Sequence, residues 1–375
     1  DNFALLAIPL FMLAGSLMNH TGITVKILRF ANALVGHLRG GLGHATTITG
    51  VIMAGISGSA NADAAAIGAV MVPSLKSAGY GEAFSVSLVA SAGVLGPIIP
   101  PSIVMIIYAS ATGLSIASLF AAGIIPGLLV ALGYIIYTSI YARRTDIKRL
   151  PRAKLREVWI SFKESVWALI MPFIIIGGIL GGVFTATEAG AIAVLYGVIF
   201  GFATKSLNFK LFKKCLISAV IAATGPSLIM ATSNVMTYIM TRENVSAILV
   251  GYMTSLTTDR YLMLLLVILI IVILGMFIEV TSAMLMSIPI LAPLIVTMGY
   301  DPLYFASIVV IAFVAGGISP PVGIVLYIVA GIENTPLSGP VKHIWPFVGI
   351  IALVVIAVMF SPNIVLLLPR LLGLG

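Results

Sequence analysis

Apolar runs long enough to cross about 30 Å of hydrocarbon recur along this chain, separated by small, polar or glycine- and proline-rich stretches. The run Tyr261–Met276 is continuous, unlike the short alternating segments of a transmembrane β-barrel, so the pattern predicts helices. Several runs are only half a span long. Two pairs of them are joined at polar tips, Ser57-Gly58-Ser59-Ala60-Asn61-Ala62-Asp63 and Glu279-Val280-Thr281-Ser282. Each pair precedes a long segment broken in its middle, at Gly96-Pro97-Ile98-Ile99-Pro100-Pro101 and Gly316-Gly317-Ile318-Ser319-Pro320-Pro321. Glycine and proline at membrane depth break helices, which is the pattern of re-entrant hairpins packed against discontinuous helices.

The two copies are related by an ungapped shift of 220 residues. It aligns Gly55 with Gly275, Pro73 with Pro293, Gly79-Tyr80 with Gly299-Tyr300, Ser87 with Ser307, Gly96 with Gly316 and Pro100-Pro101 with Pro320-Pro321. The shift predicts a first repeat over 1–142, with a hairpin at about 43–75 and a broken helix at about 84–110. Residues 143–218 then hold basic loops and two connecting spans, at about Val166–Phe184 and Ala186–Phe202. A second repeat over 219–369 has a hairpin at about 261–297 and a broken helix at about 303–332. Amphipathic arms are expected at 24–38 and 245–256.

Composition agrees with a membrane protein: 60% of the 375 residues are hydrophobic and 9% charged, too few charges to cover a soluble domain. The net charge of +8 reports topology more than affinity for nucleic acid, because the basic residues collect in loops. Arg143, Arg144, Lys148, Arg149, Arg152, Lys154, Arg156 and Lys163 mark one cytoplasmic loop, and Lys205, Lys210, Lys213 and Lys214 a second. Lys26, Arg29, Arg39 and Lys76 then place the mouth of the first hairpin inside, and the second hairpin opens to the far side, so the repeats are inverted. The basic stretch reads as a solvated connector at the membrane edge, with binding of anionic lipid headgroups as the minor alternative; membrane lipid is an expected partner of the chain as a whole. The chain opens Asp-Asn-Phe without a basic leader, and further upstream sequence is expected.

Interrupted helices leave backbone groups unpaired: carbonyls at one end suit a small alkali cation, and amides at the other suit a carboxylate. Hydroxyls at the tips could instead only satisfy neighbouring backbone. Asp63 and Glu279 are ionisable groups at membrane depth, where charge is expensive and by default functional. Glu188 follows Thr185 at helix-capping spacing and is expected to start a helix. Cys215 is the single cysteine, and His20, His37, His44 and His343 form no ligand set. A membrane enzyme is disfavoured, since no nucleophile with a base, paired aspartates or metal cluster is visible. An ion channel, or a sodium/anion symporter working without a binding protein, is the alternative.

Four runs carry a family resemblance: Gly55-Ile-Ser-Gly-Ser-Ala-Asn-Ala-Asp63, Gly93-Val-Leu-Gly-Pro-Ile-Ile-Pro-Pro-Ser102, Phe184-Thr-Ala-Thr-Glu-Ala-Gly-Ala191 and Gly317-Ile-Ser-Pro-Pro-Val-Gly323. The chain resembles the large membrane (M, DctM-like) subunit of tripartite ATP-independent periplasmic (TRAP) transporters over nearly its whole length. The resemblance implies an all-α polytopic membrane protein of elevator type in the bacterial or archaeal inner membrane. It implies sodium-driven uptake of a carboxylate such as a dicarboxylate or sialic acid, Na+ as coupling ion and no organic cofactor. A small four-helix membrane subunit (Q-type) and a periplasmic substrate-binding protein would be its partners. Carried over motif by motif, Ser59, Asn61, Gly96 and carbonyls around Ile99 would form the first cation site, and Thr281, Ser282, Gly316 and Ser319 the second. Ser57 and Asp63 would face the substrate.

Overall fold

The structure, a computed structural model, describes residues 3–145, 147 and 149–374, and all regular structure among them is helical. After a 3-10 turn at Phe3–Leu6, α1 (Ala7–His20) meets α2 (Ile23–Val35) at a bend of 68°. Gly22, at φ +75°, makes the corner. The first hairpin is α3 (Gly41–Ser57) with α4 (Ala60–Ser77). Two half-helices follow, α5 (Glu82–Gly93) and α6 (Ile103–Thr112), and α7 (Ile116–Arg144) closes the unit. Next come α8 (Leu155–Leu180) and α9 (Ala186–Ala203).

The order of α1 to α7 then recurs. It runs through α10 (Phe209–Arg242), α11 (Val245–Leu256), a hairpin of α12 (Arg260–Phe277) and α13 (Val280–Met298), the interrupted pair α14 (Pro302–Ile318) and α15 (Ile324–Ile332), and α16 (Ser338–Phe360). The last helix is α17 (Asn363–Leu371). Both Pro-Pro bonds in the breaks, Pro100-Pro101 and Pro320-Pro321, are cis. Packing is crosswise: α4 lies against α15 and α13 against α6, while α5 lies against α16 and α14 against α7. Each hairpin is therefore completed by the other copy's broken helix.

Six described helices are long and apolar enough to cross a membrane, and one of them, α16, fixes which way the hairpins open. Near its start Ser87 donates to the Pro340 carbonyl at 2.9 Å, and His343 lies edge-on to Phe84 and Tyr141 with ring centroids 6.2 and 6.1 Å away. The base of the first hairpin is here too, since Tyr80 accepts from the Gly43 amide at 3.3 Å and Lys76 pairs with Glu82 at 3.0 Å. Near the end of α16, Tyr304 donates to the Met359 carbonyl at 2.8 Å and Tyr261 packs on Phe360 at 5.3 Å. The base of the second hairpin is at that end, where Tyr300 donates to the Arg260 carbonyl at 2.5 Å. Twenty-three residues of helix rise about 34 Å, so the hairpins open to opposite faces of the membrane.

The connecting region departs from expectation. Helix α7 runs through Arg143 and Arg144, and α8 starts at Leu155, so much of the basic stretch is helix where a loop to residue 163 is predicted. Its charges remain at the exposed end of the span and cost no burial: Lys154 donates its amide to Glu157 at 3.0 Å, and Arg29 pairs with Glu164 at 3.0 Å. Likewise α10 starts at Phe209, ten residues before the predicted span, because Asn208 caps the Leu211 amide at 2.8 Å and the lysines face outward. Lys148 lies outside the described residues.

Candidate functional site

At the first tip the chain reverses through Gly58, at φ +62°. A Cβ there would collide with the Pro101 carbonyl oxygen, and the Ile103 amide donates to the Gly58 carbonyl at 3.3 Å, so the tip is stitched to the break between α5 and α6. Ser59 caps α4 by accepting from the Ala62 amide at 3.4 Å, and its own amide donates to Ser57 Oγ at 3.2 Å. Ser57 Oγ in turn donates to Asp63 Oδ1 at 2.5 Å. Asp63 is fully buried, and its Oδ2 has no hydrogen-bond partner among the described residues. A Cβ on Gly96 would lie 2.9 Å from that oxygen and 3.2 Å from Ser59 N, so Ser57, Ser59, Asp63 and Gly96 converge on one point. Ile99 packs its side chain against Gly127 of α7, away from the tip. Ser102, unassigned by the sequence, caps α6: it donates to the Pro97 carbonyl at 2.7 Å and accepts from the Met105 amide at 3.2 Å. A serine between Pro-Pro and an apolar run is the signal for such a cap.

The second tip is built differently. Glu279 stands before α13 and gathers its neighbours: Oε1 accepts from Thr281 Oγ1 at 3.0 Å, and Oε2 accepts from the Ser282 amide at 3.0 Å and from its hydroxyl at 3.3 Å. The hydroxyl protons are engaged, while the oxygen lone pairs of Thr281 and Ser282 stay available. Ser319 donates to the Ala315 carbonyl at 2.6 Å and is fully buried at the end of α14. Gly316 lets α14 approach α12, since a Cβ there would lie 2.6 Å from the Val272 carbonyl oxygen and 2.8 Å from Gly275 Cα. Its neighbour Gly317 faces the tip instead, with a Cβ position 2.8 Å from Val280 Cγ2.

A cavity of about 460 Å³ joins the two tips. Ser59 and Asn61 line it from one hairpin, Glu279, Thr281 and Ser282 from the other, and Pro97 and Gly317 from the two breaks. Ile103 and Val104 of α6 and Ile324 and Val325 of α15 add apolar lining, and Met12 of α1 with Ala222, Gly225, Pro226 and Ile229 of α10 forms a further wall. The Gly225-Pro226 pair inside a span was the visible signal for that wall. Asp63, Gly96, Ile99, Gly316 and Ser319 do not line this cavity, and Asp63 sits behind the tip. A second cavity of about 550 Å³ shares Met12, Ser59, Ala62 and Ala222 with the first, includes Ser57, and extends along α4 to Asn19, His20 and Thr24 at the α1–α2 corner. Beyond that corner α2 is tied to the first half of α8, which follows the basic stretch: Ser165 donates to the Lys26 carbonyl at 2.7 Å and Arg29 pairs with Glu164.

Glu188 is no part of this site: it accepts from the Thr185 amide at 2.8 Å and closes a capping box at the start of α9. Cys215 is buried, with Sγ 3.9 Å from the Ser16 carbonyl oxygen.

The fold is similar to that of the YdaH transporter of Alcanivorax borkumensis, whose crystal structure matches with a TM-score of 0.66 at 14% identity, over 95% of this chain and 85% of that one. In sequence the chain is 36% identical to the sialic acid TRAP transporter large permease protein SiaM of Vibrio cholerae, over 100% of its own length and 88% of that protein. It is 34% identical to the C4-dicarboxylate TRAP transporter large permease protein DctM of Pseudomonas aeruginosa, again over 100% of this chain and 88% of the relative. Residues 1–364 match the family described as the DctM component of the tripartite ATP-independent periplasmic transporters. This chain, a multi-pass protein of the inner membrane and not an enzyme, belongs to the DctM family of TRAP transporter large permeases.

Proposed function

We propose that this chain conducts sodium-coupled uptake of a small organic acid anion, a carboxylate such as a dicarboxylate or sialic acid, through the cavity between its hairpin tips. The single observation behind this reading is that hairpins entering from opposite faces end at one cavity, each beside a broken helix. Amides, hydroxyls and the two breaks there provide donors for an anion and oxygen ligands for a small cation. The relatives named for sialic acid and C4-dicarboxylate transport support a carboxylate cargo.

Sodium would bind behind the first tip, between the Ser59 backbone, the Gly96 break and the free oxygen of Asp63, with Asn61 at the cavity side. A second ion would use Thr281 and Ser282 oxygens with the backbone around Gly316 to Ser319. A buried carboxylate oxygen without a partner favours a cation at this point, and the bound charge then strengthens binding of an anion nearby. The second cavity leads from the site along α4 to the α1–α2 corner, which supports a cytoplasm-facing conformation of an elevator whose hairpin-bearing helices would slide against α1, α8, α9 and α10. A small four-helix membrane subunit and a periplasmic binding protein complete the transporter.

The test is uptake into liposomes holding the chain, its small membrane partner and the delivery protein. Saturable uptake that needs an inward sodium gradient and the delivery protein is expected. Gradient-independent ion conductance would favour a channel, and full uptake without the delivery protein would favour a self-sufficient symporter.

A further inference from the structure

At the basic face, away from the transport cavity, a pocket of about 560 Å³ lies between α2 and the start of α8. Arg29 and Asn32 line it from α2, and Arg152, Lys154 and Glu157 from the other side. Three cations face one carboxylate. Glu157 is held at the helix start by the Lys154 amide and Arg29 pairs with Glu164, whereas neither Arg152 nor Lys154 has an ion-pair partner among the described residues. Such a pocket takes a compact anion, and a guanidinium fork fits phosphate oxygens better than a halide.

The rim says where that phosphate comes from. Leu150 and Ile160, which line the pocket, are 42% and 43% exposed, and Leu155, next in sequence to Lys154, is 87% exposed. Beside them Phe162 bridges Phe30 of α2 and Trp159 of α8 with ring centroids 5.6 and 5.7 Å apart, the aromatic belt expected at headgroup level. A soluble phosphate has no use for an apolar rim; acyl chains do. Helix α2 buries Ile23, Ile27 and Ala31 against the protein and turns Arg29 outward, as a helix lying along the membrane surface does.

We propose that this pocket binds the phosphate headgroup of one anionic phospholipid, which bridges Arg29 of α2 to Arg152 and Lys154 before α8 and so clamps the arm to the adjoining span. The site depends on the membrane topology alone, so it stands whether or not sodium coupling does.

The test is native mass spectrometry of the chain with its membrane partner, extracted from membranes containing phosphatidylglycerol and phosphatidylethanolamine. The parent should retain phosphatidylglycerol, and Arg152→Gln with Lys154→Gln should lower its occupancy by more than about tenfold, as two surface cations contribute to anionic-lipid binding. Lys213→Gln with Lys214→Gln, the same charge change on the same face, should leave occupancy unchanged. All four positions are exposed, and equal melting temperatures establish that both variants fold. Equal lipid loss in both variants would mean diffuse attraction and overturn the proposal. So would displacement of the lipid by glycerol 3-phosphate, or a parent complex that retains no anionic lipid because its partner subunit covers the pocket.

Discussion

Ser57 donates a hydrogen bond to Asp63 across the tip of the first hairpin, at 2.5 Å, and leaves the second carboxylate oxygen buried beside Gly96. In the proposed reading that oxygen is a ligand of the first cation. Asp63→Asn keeps the shape and removes the charge. The sodium concentration for half-maximal uptake should then rise roughly tenfold or more, because contacts to a charged group contribute about 1.5 to 3 kcal/mol. Ser57→Ala, which removes only a donor, should shift it less. A parental sodium curve in a well-folded Asp63→Asn protein would remove Asp63 from the cation site.

Gly58 carries the reversal of the first hairpin in a left-handed conformation with Pro101 against it. Gly58→Ala adds about 1 to 2 kcal/mol of backbone cost and a direct collision with the broken helix. The tip must back away from the break. Uptake should fall strongly while membrane insertion and expression stay normal, and substrate-binding titration should show the defect in affinity. Parental affinity would mean that the tip and break need not touch.

The sidedness read from α16 has its own test. In a background lacking Cys215, single cysteines at Lys76 and Met298 should react with a membrane-impermeant thiol reagent from opposite sides, position 76 from the cytoplasm and position 298 from the periplasm. Labelling of both from one side would contradict the opposed hairpins.

The breaks were legible because glycine and proline punctuate a helix wherever it lies: Pro100-Pro101 and Pro320-Pro321 fall at interruptions in both copies. What each aligned residue does was not legible. Gly96 and Gly316 stand in register, yet Gly96 faces Asp63 and Ser59, whereas Gly316 packs on Gly275 because α14 continues to Ile318. The five extra helical residues relative to α5 turn Gly317 to the cavity. Asp63 belongs to the polar tip in sequence, and helix α4, which begins at Ala60, carries it behind the tip. The helical start at Leu155 was hidden by the charge of the preceding residues, since charge density marks a membrane boundary more clearly than a helix boundary.

The most direct measurement is the sodium dependence of uptake for Asn61→Ala and Thr281→Ala, one from each tip and both lining the shared cavity. Loss of one oxygen from either site should weaken apparent sodium affinity by about 1 to 3 kcal/mol, the range for an unmet buried polar partner. Both variants should show that shift with normal membrane insertion, and each should also weaken substrate binding at fixed sodium, as reciprocity requires. Uptake by folded variants with the parent's sodium concentration dependence would contradict coupling at the tips and leave these side chains as local caps of their helices.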